Sequence, residues 1–293
     1  MSIKSFLKNL SSERWNIGFI DNSLQGIFDG ESITVKWIKH SYNDRWFADP
    51  FILSADESHI IVLCEEFYKS KGLGRISRLC VDRKTMELQS LDVILELDTH
   101  LSFPNIQRED GKIYIYPENG KSGKLSRYIY DDDSKKCILE SVLVNDALAD
   151  SSILKYKEKV YLFATPSSNG NGNVLRIYEK DEDNYTFSKY IEYPFEERIA
   201  RMAGAFFTIG GRVYRPTQEC NVQYGHAVTL QEVTLQDGQW YFKEVRRLYS
   251  VHPKLNVGMH TFNVYNDLVV TDALGFDNAW IRKVLKFFKI INH

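Results

Sequence analysis

Four carboxylates, Asp49, Glu118, Asp150 and Glu219, border short apolar runs along the chain, and each is a candidate proton donor or acceptor. Others could join them: Glu65 and Glu66, the imidazoles of His100 and His260, the guanidinium groups of Arg201 and Arg215, the amides of Asn105 and Gln218, and Asp272. Brought to one place, such groups push their pKa values apart through like-charge proximity and partial burial, so that one site holds an acid and a base at the same pH. Arg201 or Arg215 could grip an anion through a bidentate contact, while Trp46 and Tyr224 could offer flat apolar faces to a ligand. No Gly-rich phosphate loop and no Cys-x-x-Cys pair occurs, so neither a cofactor nor a metal is expected; Cys64, Cys80, Cys137 and Cys220 read as reduced thiols.

These residues run from position 46 to position 272, so only a particular architecture gathers them. Short runs rich in Val, Ile, Tyr and Phe alternate with Gly, Asn, Asp and Ser, which indicates an all-β chain. One hairpin pattern recurs. Ala48 to Leu53 returns as His59 to Glu66, Ser102 to Gln107 as Lys112 to Glu118, and Ala149 to Leu154 as Val160 to Thr165. Ala203 to Phe207 returns through Gly210-Gly211 as Arg212 to Pro216, and Met259 to Val264 through Asn266-Asp267 as Leu268 to Asp272. Aligned copies begin at 49, 103, 150, 204 and 260, a spacing that belongs to radial or solenoid repeats.

Each of the first four hairpins is followed by two more strand-like runs, such as Gly74 to Val81 with Ser90 to Leu97. The fifth is not, but an unassigned pair stands at the start, Trp15 to Asp21 and Ser32 to Lys39. If that pair completes the last unit, the chain is a five-bladed β-propeller with four-stranded blades, occupying residues 13–277 as one domain. A β-sandwich is the competing architecture. In a propeller the innermost strands start, and their antiparallel partners end, at one face, which is where the candidate residues collect. Each also has a plain structural reading: Asp49 as a strand start before Pro50, Glu118 as a turn residue, Asp150 as a turn cap, Glu66 as a solvated charge, and His260 as a hydrogen-bonded histidine. The Asp131-Asp132-Asp133 run falls between outer strands and reads as a solvated turn.

Composition narrows the partners. Thirty-seven Lys and Arg against 39 Asp and Glu give a formal charge of -2, which provides no basic face for nucleic acid, and 43% hydrophobic content across 293 residues suffices for a large core. The start of the chain has no secretory pattern and no run of about 18 apolar residues occurs, so a cytoplasmic location is expected. Residues 278–293 break the β pattern: Trp280, Ile281, Val284, Leu285, Phe288 and Ile291 fall on one side of a helical wheel, and Arg282, Lys283, Lys286 and Lys289 on the other. That basic amphipathic helix, with a similar segment over 1–12, suits either an anionic membrane surface, peripheral at the inner face through 280–291, or packing on the propeller.

Trp46-Phe47-Ala48-Asp49-Pro50-Phe51 resembles the first-blade motif of the propeller enzymes that include family 43 and family 32 glycoside hydrolases. Together with Ser102-Phe103-Pro104-Asn105, Tyr116-Pro117-Glu118, Met202-Ala203-Gly204, Arg215-Pro216-x-Gln218 and Tyr224-Gly225, it resembles more closely the N-terminal propeller of glucosamine inositolphosphorylceramide transferases and of bacterial polysaccharide-biosynthesis proteins. The hydrolase resemblance implies that Asp49 is a base or nucleophile and that Asp150 matches a third-blade acid. The second-blade carboxylate of the hydrolases would fall at Phe103-Pro104 and is absent, and Glu219 has no secure counterpart. An oxocarbenium-like transition state needs an anion near the anomeric carbon, a role open to Asp49 with Glu118, Asp150 or Glu219 as second carboxylate, and sugar rings stack on faces such as Trp46 and Tyr224. Glycosyl transfer in surface polysaccharide or glycolipid synthesis, on a nucleotide-linked or lipid-linked sugar, is therefore expected ahead of family 43-type hydrolysis and of a non-catalytic sugar-binding module.

Overall fold

The computed structural model describes residues 12–278. The amphipathic N-terminal segment and the basic C-terminal helix expected from the sequence lie outside these residues, apart from Ser12 and Asn278 at the borders. The described residues form five four-stranded antiparallel sheets. After β1 (Glu13–Ile20), a one-turn helix (Leu24–Phe28) and β2 (Val35–Trp37), the first complete blade runs through β3 (Arg45–Ala55), β4 (His59–Tyr68), β5 (Leu73–Asp82) and β6 (Leu88–Leu95). The second holds β7 (Ser102–Glu109), β8 (Lys112–Glu118), β9 (Leu125–Asp131) and β10 (Lys136–Val144). The third holds β11 (Leu148–Tyr156), β12 (Lys159–Pro166), β13 (Val174–Glu179) and β14 (Tyr190–Pro194). The fourth holds β15 (Phe207–Ile209), β16 (Arg212–Glu219), β17 (Ala227–Gln236) and β18 (Gln239–Leu248), and the fifth begins with β19 (Phe262–Tyr265) and β20 (Leu268–Phe276).

The fifth sheet has the order β19-β20-β1-β2, so the first strands of the chain complete the last blade, as the repeat arithmetic requires. β1 pairs with β20 from Glu13 opposite Phe276 to Ile20 opposite Val269. Ile17 and Phe19 carry this seam into the core between the fifth and first blades, against Phe47, Ile52, Val62 and Leu79. Burial of each such side chain contributes about 1.5–3 kcal/mol. No helix among the described residues is long and apolar enough to cross a membrane.

Three hairpins turn on two consecutive residues with positive φ, Asp110-Gly111 (50° and 73°), Gly210-Gly211 (56° and 76°) and Asp237-Gly238 (50° and 77°). Two consecutive left-handed residues match the strand twist, and glycine takes that geometry without Cβ strain. The innermost strands differ from the sequence expectation in the last two blades. Residues 203–206 and 259–261 lie outside β15 and β19 because their N–H groups bond elsewhere. Ala205 N donates to Asn263 Oδ1 (2.7 Å), Met259 N to Gly225 O (2.9 Å), and His260 N and Thr261 N both to Asp272 Oδ1 (3.0 and 3.1 Å).

In the first three blades the innermost strand carries a bulge at the same place, between Ala48 and Phe51, Ser102 and Asn105, and Ala149 and Ser152. Asp49, Phe103 and Asp150 sit in these bulges with φ of 51°, 45° and 42°. A bulge of this kind leaves an N–H outside the ladder and re-aims a side chain. Further along the same strands a belt of bonds joins neighbouring blades. Asn105 Nδ2 donates to Ser152 Oγ (2.9 Å), Ser152 Oγ to Gly204 O (2.8 Å), and Asn263 Nδ2 to Pro50 O (2.8 Å).

Candidate functional site

The three bulges set the site. The N–H freed at Asp49 donates to Asp272 Oδ2 (3.1 Å), and that at Asp150 donates to Glu118 Oε2 (3.0 Å), each carboxylate coming from the second strand of the preceding blade. The N–H freed at Phe103 donates to Asp49 Oδ2 (3.1 Å), and Thr261 Oγ1 donates to Asp49 Oδ1 (3.1 Å). Phe103 fills the bulge position where the first and third blades place an aspartate, packing edge-on against Phe51 at 5.0 Å.

Around Asp49 the buried partners are His260 and Asp272. His260 Nδ1 lies 2.7 Å from Asp272 Oδ2 and Nε2 lies 3.4 Å from Asp49 Oδ1, so the ring spans two carboxylates. Burial alone would lower the pKa of this imidazole, but Asp272 and Asp49 outweigh it and hold it up at about 9. Burial pushes the Asp49 carboxyl up to about 6, opposed by His260 and aided by Asp150 and Asp272. Asp272 is held below the usual range by the protonated ring in spite of its burial. Asp49, His260 and Asp272 each present one potential ligand atom within 4.8 Å of the others, close enough to share a cation. Protonated His260 is itself a cation that both carboxylates face.

The second group forms around Asp150. Its Oδ2 accepts from Arg201 Nε (2.5 Å) and from Gln218 Nε2 (2.5 Å), and Arg201 Nη2 also donates to Glu118 Oε2 (3.1 Å). The other Asp150 oxygen, Oδ1, is buried with no hydrogen-bond partner. Burial pushes Asp150 up to about 7, aided by Glu118 and opposed by Arg201. Both carboxylates therefore titrate close to neutrality, and the first feels the charge of the second.

Above them opens a cleft of about 420 Å³ walled by Trp15, Trp46, Phe67 and Tyr224, with Glu65, His100 and His260 on its polar side. Trp46 stacks on Phe67 with ring centroids 4.7 Å apart, and Trp15 stacks on His260 at 4.0 Å. Tyr224 lines the cleft, stands edge-on to Trp15 and His260, and lies 5.2 Å from the Arg201 guanidinium. Asp49 and Asp150 do not line the cleft; they are 3% and 1% exposed, beneath this aromatic layer. The tight placement of Tyr224 depends on Gly225, where a Cβ would fall 2.9 Å from the Cβ of His260.

The mouth thus brings together eleven of the residues singled out in the sequence: Trp46, Asp49, Glu65, His100, Glu118, Asp150, Arg201, Gln218, Tyr224, His260 and Asp272. It does not bring together the other four. Glu66 points to the far side of β4, where Arg45 (2.6 Å), Arg75 (2.9 Å) and Ser77 Oγ (2.5 Å) enclose it, and its neighbour Glu65 takes the cleft side. Arg215 is fully buried, donating to Ile199 O and Ala200 O (2.8 and 2.9 Å) between the rings of Phe195 and Phe242, so it holds no ligand anion. Glu219 faces His226, with Nδ1 2.6 Å from Oε2, and Asn105 belongs to the inter-blade belt. Trp15, Phe67 and Thr261 were not read from the sequence. Period-2 alternation from Glu65 points to Phe67, while Trp15 and Thr261 become site residues only through the seam and the fifth blade.

The fold is a five-bladed propeller of the architecture seen in family 43 glycoside hydrolases. A family 43 enzyme from Xanthomonas citri complexed with xylose superposes with a TM-score of 0.54 at 11% identity, over 80% of this chain and 88% of that one. The RS223 β-xylosidase gives 0.55 at 12%, over 79% and 92%. Sequence places the chain more narrowly. The family model described as glucosamine inositolphosphorylceramide transferase 1, N-terminal, matches residues 30–269, and the chain belongs to that family. The protein named glucosamine inositolphosphorylceramide transferase 1 in Oryza sativa subsp. japonica is 26% identical over 200 residues, covering 66% of this chain and 27% of the relative. Its Arabidopsis thaliana namesake is 27% identical over 219 residues, covering 71% and 28%. The chain spans little more than a quarter of the length of these relatives.

Proposed function

We propose that this chain is a carbohydrate-active propeller that takes part in glycosyl transfer during glycolipid or surface-polysaccharide assembly, with the sugar entering the aromatic cleft. The observation that carries this reading is the pair of buried aspartates from two blades, Asp49 and Asp150, with pKa values raised to about 6 and 7 beneath an apolar-walled cleft. As the bond from the anomeric carbon to the donor's leaving group breaks, the leaving oxygen departing with the electron pair, the acceptor oxygen forms the new glycosidic bond and its proton passes to a base, for which a carboxylate with a pKa near the working pH serves. Asp150 Oδ1, buried and unpartnered, is the oxygen with lone pairs free for that task, while Asp49 and Asp272 with protonated His260 set the surrounding field. The transferase names of the plant relatives support transfer over hydrolysis.

The location and donor follow as parts of the same proposal: a cytoplasmic protein using a nucleotide-linked or lipid-linked sugar, peripheral at a membrane through the basic, apolar-faced sequence 280–291. A second reading, a sugar-binding module that presents substrate to a separate enzyme, is favoured by one observation. Both aspartates are buried and hydrogen-bonded within the protein.

Incubation with a panel of sugar nucleotides and lipid-linked acceptors, beside aryl glycosides, separates the readings. Transfer without aryl glycoside cleavage is expected, and Asp49→Asn and Asp150→Asn should each lower the rate by roughly 100-fold or more. Asparagine tolerates left-handed backbone, so both variants retain the bulges. Release of free sugar from aryl glycosides would move the protein to hydrolysis, and sugar binding with no turnover would move it to the binding module.

A further inference from the structure

Glu65 Oε1 is a buried carboxylate oxygen with no hydrogen bond in the protein, on a side chain that lines the aromatic cleft. His100 Nε2 lies 3.1 Å away without the alignment of a hydrogen bond. Gly74 builds this pair. Its N–H donates to His100 Nδ1 (3.0 Å), which leaves the ring proton on Nε2, on the side of Glu65. A Cβ at position 74 would lie 2.5 Å from Glu65 Oε1 and 2.6 Å from Leu101 O, so only glycine lets the two side chains and the backbone close up.

Beyond its ion-pair contact with His100 the buried Oε1 has no hydrogen bond, and a buried acceptor so poorly satisfied is costly, while the donor N–H stands beside it at the edge of an open cleft. The complementary group is one that donates and accepts at a single atom, which is a hydroxyl. We propose that Glu65 and His100 form a hydroxyl-reading subsite: one ring hydroxyl of a neutral pyranose donates to Glu65 Oε1 and accepts from His100 Nε2–H, with the apolar face of the ring against the aromatic wall. The inference rests on the reading of the cleft as a sugar site. The chemistry selects neutral pyranosides over uronic acids, whose carboxylate would meet that of Glu65.

Saturation-transfer NMR titrations of the full chain with methyl glucoside, galactoside and mannoside, each with its monodeoxy derivatives, test it. A pyranoside that binds the native protein should bind Glu65→Gln about tenfold more weakly, and the monodeoxy derivative lacking the hydroxyl that is read should bind both proteins alike. Should Glu65→Gln fail to fold, His100→Gln carries the same measurement, because the His100 side chain is 36% exposed. Equal affinity of the parent pyranoside for native and variant proteins overturns the subsite and leaves the sugar reading standing. Absence of binding by any of the pyranosides to the native protein overturns both.

Discussion

At the scale of single residues, protonation decides most of what the site can do. His260 carries a pKa of about 9, above its ordinary 6.5, so its protonation stabilises the folded state fully below 6.5 and less and less as pH rises through 9. Asp49 and Asp150 act in the same direction at lower pH: their raised values cost the folded state stability as pH climbs from the ordinary 3.8 to about 6 and 7, a loss nearly complete where the histidine window opens. Tm is therefore expected to fall by several degrees between about pH 7 and pH 9, and His260→Gln should flatten that slope in calorimetric scans. Arg215 makes a different case. Lysine there would lose both the planar contact with Phe195 and Phe242 and the second carbonyl bond, so Arg215→Lys should cost about 1–3 kcal/mol in denaturant unfolding while sugar binding stays unchanged. From sequence alone Arg215 and Arg201 are indistinguishable. One faces Asp150 and Glu118 and the other a pair of phenylalanines, and only the blade-to-blade contacts separate them.

At the scale of elements, the bulges and the seam matter most. Hairpins were legible because apolar residues alternate and turn residues punctuate them, but the bulges were not, since Asp49, Phe103 and Asp150 are ordinary residues in a left-handed conformation with no glycine to mark them. The Glu65–Glu66 choice had the same origin: neighbouring residues on a strand face opposite ways, and the side each takes follows from where β3 and β4 fall back into register after the bulge. The starts of β15 and β19 were missed because side chains, not the strand ladder, take up their N–H groups: that of Ala205 goes to Asn263 of the next blade, and that of His260 to the carboxylate of Asp272 on its own partner strand. The seam offers a direct test. Phe19 lies in the third strand of its sheet, between Val270 and Lys36, so Phe19→Pro removes ladder bonding at an interior position and should cost about 3 kcal/mol or more, read as a lowered urea midpoint.

At the scale of the whole molecule, five copies of one hairpin and the leftover pair at the start carried the architecture, since the circular count closes only as a five-bladed ring. What no copy announces is the site, because equivalent positions hold different residues in different blades: an aspartate, a phenylalanine and a second aspartate at the three bulges. Every blade is packed on two neighbours, and side-chain bonds such as those of Asn105, Ser152 and Asn263 join them at the axis. Urea unfolding should accordingly give one transition, with tryptophan fluorescence and far-ultraviolet circular dichroism coinciding; two separated transitions would show that blades unfold independently.

The N–H of Asp277 donates to the carbonyl of Ser12 at 3.0 Å, so the two borders of the ring touch. To the folded propeller the place where synthesis starts is then arbitrary. A circularly permuted gene that joins residue 277 to residue 12 through a short Gly-Ser linker and opens between Gly210 and Gly211 should yield the same toroid, with the seam made covalent and a nick in the fourth blade instead.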